Sequence, residues 1–142
     1  MKKAALFSVL LCLALLAGCR SAGFRLQAEE IRQVEVYTGS VPAAAEKKTV
    51  TGEEDIRRIA SLVNGLLLLG EASEEDVEAG GIGLYLQVIF TSGEEQRIRL
   101  PGDDLLLQEG KLYRTNGLNG ADLWESLDYE AVLVGEEGLP QG

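Results

Sequence analysis

The chain contains no histidine, and its only cysteines are Cys12 and Cys19. Without imidazole there is no Ser-His-Asp or Cys-His catalysis and no histidine metal site. Long apolar runs are also missing. The longest, Ala4 to Gly18, falls short of the ~20 residues that cross about 30 Å of hydrocarbon, and Arg20 and Ser21 follow it almost directly. A permanent membrane helix is therefore the weaker reading. Positive charge is scarce, with 13 basic residues against 23 acidic ones and a net charge of −10. Nucleic-acid binding, which needs a basic patch, is not expected. The same charge disfavours adsorption to anionic lipid or phosphate-rich wall polymers. No internal repeat is visible.

What is present begins with an address. Met1 is followed by Lys2 and Lys3 and then by about fifteen mostly apolar residues, the layout of a secretory signal. The run ends at Leu16-Ala17-Gly18-Cys19, which resembles the lipobox of bacterial lipoproteins. That resemblance implies cleavage between Gly18 and Cys19, a diacylglyceryl group on the Cys19 thiol, and further acylation of the freed amino group. It places the protein on the extracytoplasmic face of a cell membrane, with the bilayer as partner through the lipid anchor. Arg20 and Arg25, beside that anchor, would touch lipid phosphates. The alternative is an ordinary secretory signal that leaves Cys19 an odd free thiol in an oxidising compartment.

With residues 1–18 removed, Lys2 and Lys3 go and no acid does. Eleven basic residues then face 23 acidic ones, a net −12 over 124 residues. Cys12 leaves with the signal and Cys19 is consumed, so no disulfide supports the exported part. A hydrophobic core must hold it, and one domain of this length can bury enough surface. The expected organisation is a signal at 1–18, a lipidated N-terminus and tether at 19–28, one domain at 29–134 and a polar tail at 135–142. The nine residues from 20 to 28 would reach roughly 30 Å when extended.

Within the domain, "IRQVEVYT" (31–38) alternates as a half-buried strand and "EKKTVT" reads as its hairpin partner. Thr51-Gly52-Glu53-Glu54 matches a capping box, with Glu53, Glu54 and Asp55 at the positive end of the helix dipole. Ile56, Ile59, Ala60, Leu62, Val63, Leu66 and Leu67 recur at helical spacing. Asn64-Gly65 offers a left-handed helix end, leaving "LLLLG" as a buried turn or short strand. "LYLQVIF" (84–90) suits a central strand, "QRIRL" alternates, and "LLLQ" and "KLYRT" flank Glu109-Gly110, a two-residue hairpin turn. "ADLWESL" gives a short helix. The order β-β-α-β-β-β-β-α predicts an α+β fold, an antiparallel sheet of five to six strands with one long helix on one face. This arrangement is loosely similar to small lipoproteins of Gram-positive-type bacteria, through Thr51 to Ile56 and Glu109 to Tyr113. That likeness implies no catalytic residues.

Chemistry-bearing groups are few. Glu71, Glu74, Glu75, Asp76 and Glu78 form an acidic loop over 70–81 with enough oxygens for calcium, but without the alternating acids and fixed glycine of a calcium loop. It reads first as a solvated surface loop. Asp103-Asp104 offers paired carboxylates for acid–base work and equally suits a turn. Gly80-Gly81-Ile82-Gly83 lacks the following helix of a phosphate loop. Ser61, Ser73, Ser92 or Ser126 with Lys47, Lys48 or Lys111 could form a dyad, and no spacing selects one. Tyr37, Tyr85, Tyr113, Tyr129 and Trp124 are the aromatic candidates for binding, Tyr37 on the polar register of its strand. The expectation is a non-catalytic binding or modulatory domain with no cofactor or metal, acting on another envelope protein through an open sheet face or the acidic loops. The alternative is a small carboxylate- or metal-assisted hydrolase using Asp103, Asp104 or Glu75.

Overall fold

A computed structural model of the chain describes residues 20–38, 41–79 and 81–140. Gly18 and Cys19, with the rest of the lipobox-like stretch, lie outside the described residues. The strands are β1 (Arg20–Ser21), β2 (Ile31–Thr38), β3 (Glu46–Val50), β4 (Leu67–Glu71) and β5 (Leu84–Phe90). They continue with β6 (Glu95–Leu100), β7 (Leu105–Gln108), β8 (Lys111–Thr115) and β9 (Val132–Leu133). The helices are α1 (Glu53–Asn64), α2 (Glu74–Ala79) and α3 (Gly120–Ser126). All nine strands join one sheet in the order β1-β4-β8-β7-β6-β5-β2-β3-β9, and every pairing is antiparallel.

This corrects the expected five to six strands with one long helix, although α+β remains broadly right. The helix is a twelve-residue, three-turn element, and two shorter ones accompany it. Of the three further strands, β1 and β9 are not expected, and β4 falls on the "LLLLG" run read as a buried turn or short strand. Two residues carry no periodicity, so β1 and β9 leave no trace in the sequence, and the apolar run of β4 does not alternate. Part of the supposed acidic loop is the end of β4 and the whole of α2.

Alternation in β2, β5 and β6 sends Val34, Val36, Leu86, Val88, Ile98 and Leu100 to one face. There α1 lays Ile56, Ile59, Ala60 and Val63 onto them, and Leu123 and Leu127 close the same core. Removing each such side chain from water stabilises the fold by about 1.5–3 kcal/mol for the larger ones. Among the described residues no helix is long and apolar enough to cross a membrane.

Two local expectations change. The helix cap is Gly52, not Thr51, so the motif is displaced by one residue and the capping box does not form. Tyr129 takes its place: its hydroxyl accepts from the Gly52 amide at 3.0 Å and donates to Asp55 Oδ2 at 2.9 Å. At the other end the helix does stop at Asn64, yet Gly65 has φ −82° and is not left-handed. Glu109 and Gly110, by contrast, both have positive φ, 53° and 76°, as a tight hairpin between β7 and β8 requires.

Residues 20–28, within the stretch expected as a tether, pack against the body. β1 pairs with Leu67 and Leu68, the Ala22 amide donates to Leu66 O, and Ala22 and Leu26 are buried. Asn64 explains why: its side chain donates to Leu26 O at 2.8 Å and accepts from the Leu26 amide at 2.7 Å. The tail is also held, since the Val134 and Gly135 amides both donate to Ala45 O. Replacing Asn64 with alanine strands both backbone groups of Leu26, and the expected loss is about 2 kcal/mol. Urea unfolding measures it, and an unchanged midpoint would mean that residues 22–28 are not packed against α1.

Candidate functional site on the outer sheet face

The side chains that alternate away from the core form the second face of the sheet. Pairing aligns Lys47 (β3), Tyr37 (β2), Tyr85 (β5), Arg99 (β6) and Leu107 (β7) in one row across five strands. The next row holds Thr49, Glu35, Gln87 and Arg97, and a third holds Gln33, Ile89 and Glu95. Tyr37, Ile89 and Leu105 are buried but stand outside the core cluster.

The polar groups here are organised. Glu35 accepts from Gln33 Nε2 at 3.2 Å and from the Tyr37 hydroxyl in a short bond. Burial, with Glu35 holding the proton and adding negative charge, pushes the Tyr37 hydroxyl far above the ordinary tyrosine range. Gln87 donates to Glu95 at 2.7 Å. The Arg99 guanidinium lies 4.7 Å from the Tyr85 ring centre and donates to the Tyr85 hydroxyl at 2.6 Å. Lys47 Nζ is 5.9 Å from the Tyr37 ring centre. The helix α2 is pinned at one end of the face by Arg114–Asp76 at 3.3 Å. Donation from the Ser73 amide, with Arg114 adding to it, holds the Asp76 carboxyl below its usual range.

The other sequence candidates have structural work. Asp76 accepts from Ser73, and Glu71 lies 3.8 Å from Lys111, so these acids do not converge. Among the described residues no group of three or more potential ligands could hold a metal ion. Asp103 Oδ1 accepts from the Gly120 amide at the start of α3. Its carboxylate occupies the space a side chain at Gly81 would need, and Gly81 has φ +72°. Asp104 takes a left-handed turn conformation at φ 59°, and Glu75 is an exposed residue of α2. Asp103 and Asp104 share the turn before β7, whereas Glu75 stands on α2. Gly80 is outside the described residues, and β5 follows Gly83, so the glycine run opens no helix.

No serine bonds a lysine among the described residues. Ser126 Oγ donates to Leu123 O, Ser73 Oγ contacts Asp76, and Ser92 Oγ accepts from the Glu94 amide. Lys48 is buried on the core face. Its ammonium donates to Trp124 O and Leu127 O at 2.8 Å each and lies 4.5 Å from the Trp124 ring centre. The lysine therefore fastens the C-terminal end of α3, where cations are favoured. Trp124, Tyr129 and Tyr113 pack against the core.

Concave surface occurs in several places, including a hollow of about 510 Å³ beside Phe24, Arg97, Arg99, Leu107 and Glu109. A shallow cleft of about 610 Å³ separates residues 24–29 from Arg57, Ser61 and Asn64. On the outer face there is a notch of about 180 Å³ beside Val77, Tyr85, Arg99 and Pro101. The alternation of β6 marks Arg97 and Arg99 as outward-facing, but only its pairing with β5 and β2 reveals what they stand beside. Compared with known proteins, the chain matches no family model, no curated protein and no solved structure.

Two outcomes follow from this geometry. Lys48→Met leaves two helix-end carbonyls without their donor and should cost about 2 kcal/mol, read by thermal or urea unfolding together with a shift in Trp124 emission. A wild-type melting curve would remove the lysine's fastening role. Tyr37 keeps its proton in the folded chain at a pH where the unfolded chain loses it. The stability this adds is complete below about pH 10 and is lost as pH rises through the folded value. Tyr37→Phe should therefore flatten part of the alkaline fall in urea midpoint as pH rises above about 10. Parallel curves for the two proteins would refute that assignment.

Proposed function

We propose that this chain is a lipid-anchored protein of the extracytoplasmic membrane face, carrying a non-catalytic domain that binds or modulates another envelope protein. The observation that supports it is Leu16-Ala17-Gly18-Cys19 standing one residue ahead of β1. Acylated through sulfur and amino group together, Cys19 would hold two or more chains in the bilayer, enough for stable attachment. Because Arg20 is already paired with Leu68, no flexible spacer separates anchor from sheet. The body would then lie against the bilayer surface, with the outer sheet face presented to neighbours. That face, rather than a deep cleft, is where ordered polar and aromatic groups gather.

Mass spectrometry of protein extracted from membranes tests the anchor. The expected mature chain begins at Cys19 and carries a diacylglyceryl mass, while Cys19→Ser accumulates uncleaved precursor. An intact N-terminus, or an unmodified Cys19 in a soluble product, would overturn the reading.

A further inference from the structure

We infer that the outer sheet face is a docking surface for an acidic, carboxylate-rich peptide segment of a partner protein, gripped by Arg97, Arg99 and Lys47. The inference deepens the binding-domain reading above and rests on it. Its basis is charge placement. In a chain with ten more acidic than basic residues, cations are expected to be neutralised by nearby carboxylates. The ion pairs found among the described residues are Arg58–Asp55, Lys111–Glu71 and Arg114–Asp76. Arg97, Arg99 and Lys47 belong to none of them, although Glu35 and Glu95 share their face.

Those two carboxylates hydrogen-bond neutral neighbours rather than the arginines. Glu35 accepts from Gln33 and Tyr37, and Glu95 accepts from Gln87. The tyrosine stays neutral, held by burial and by Glu35, so it adds no competing charge. Arg97 and Arg99 are two residues apart on β6, so their Cα atoms stand about 6.6 Å apart, the repeat of same-side positions along an extended strand. An extended acidic segment lying along β6 presents every second carboxylate at the same spacing. Arg99 is already oriented by Tyr85, which lowers the entropy lost when it engages a carboxylate. Lys47 extends the positive row to β3.

The test uses the full chain in non-ionic detergent with fluorescent hexaglutamate as probe and hexaglutamine as its uncharged counterpart. Hexaglutamate should bind and hexaglutamine should not, with affinity falling steeply as salt rises and the Debye length shrinks. The Arg97 side chain makes no hydrogen bond among the described residues, so Arg97→Gln tests the surface with little disturbance of the fold. That substitution should weaken binding several-fold, and Arg97→Gln with Arg99→Gln about tenfold. Arg57→Gln, in the cleft, should change nothing.

Equal binding by the double variant, or equal weakening by Arg57→Gln, would overturn the inference. So would polyphosphate binding as tightly as hexaglutamate, which would assign the face to phosphate. A dimer that Arg97→Gln dissolves, with no hexaglutamate binding, would assign it to a second copy and also overturn the inference. The Cys19 mass is read separately. A failed peptide assay therefore leaves the anchor standing, and an unmodified Cys19 leaves the docking face standing.

Discussion

Period-two alternation across a continuous antiparallel sheet is the constraint on which the molecule depends. Along β2, β5 and β6 it separates an aliphatic layer from a polar and aromatic one, with no residue able to serve both. The aliphatic layer must be covered, and α1 covers it with Ile56, Ile59, Ala60 and Val63. No cysteine lies among the described residues, so this layer carries most of the stabilisation. A one-residue slip of any central strand would invert both faces at once. Core and candidate site are therefore two consequences of one register.

Polar groups finish what the core begins. Asn64 holds Leu26, Gln108 Nε2 holds Ala22 O at 2.7 Å, Lys48 fastens α3, and Tyr129 caps α1. Each ties a peripheral segment to the sheet or its helix across 38 or more positions of sequence. Net contributions of such bonds are modest, about 1 kcal/mol each, but an unmade bond at a buried group costs more. The two sheet ends are closed economically by two-residue strands, β1 on β4 and β9 on β3, which shorten the open edges available for unwanted pairing. Val132 and Leu133 remain exposed on the last of these.

If Cys19 is acylated, β1 also acquires a mechanical meaning. The attachment point would adjoin a strand pinned to β4, so orientation on the bilayer would be set by the sheet rather than averaged by a linker. An outer face carrying Arg97 and Arg99 would then be held at a definite height, within reach of proteins in the same membrane. Electrostatic steering suits such an arrangement, because a local positive strip on an acidic body attracts one kind of segment and repels most others.

Much of the central fold was legible by itself. Strong periodicity marked β2, β5, β6 and α1, and the Glu109-Gly110 turn chemistry marked the β7–β8 hairpin, because local sterics act over a few residues. The inward and outward halves of β6 were equally legible, so Arg97 and Arg99 could be named as surface residues. Their role could not be read, since what surrounds them comes from β5, β2 and β3, distant in sequence. Nor could the strands β1 and β9 be seen, because two-residue pairings carry no local signal, and the non-alternating leucine run of β4 left a buried turn and a short strand both open. Tyr129, not Thr51, came to cap α1, and Asn64 turned an expected tether into packed structure. In both cases a partner about 40 to 80 residues away supplied a hydrogen bond that no local pattern encodes. Periodicity decides which side of an element is apolar, whereas long-range pairing decides what each polar side chain finally meets.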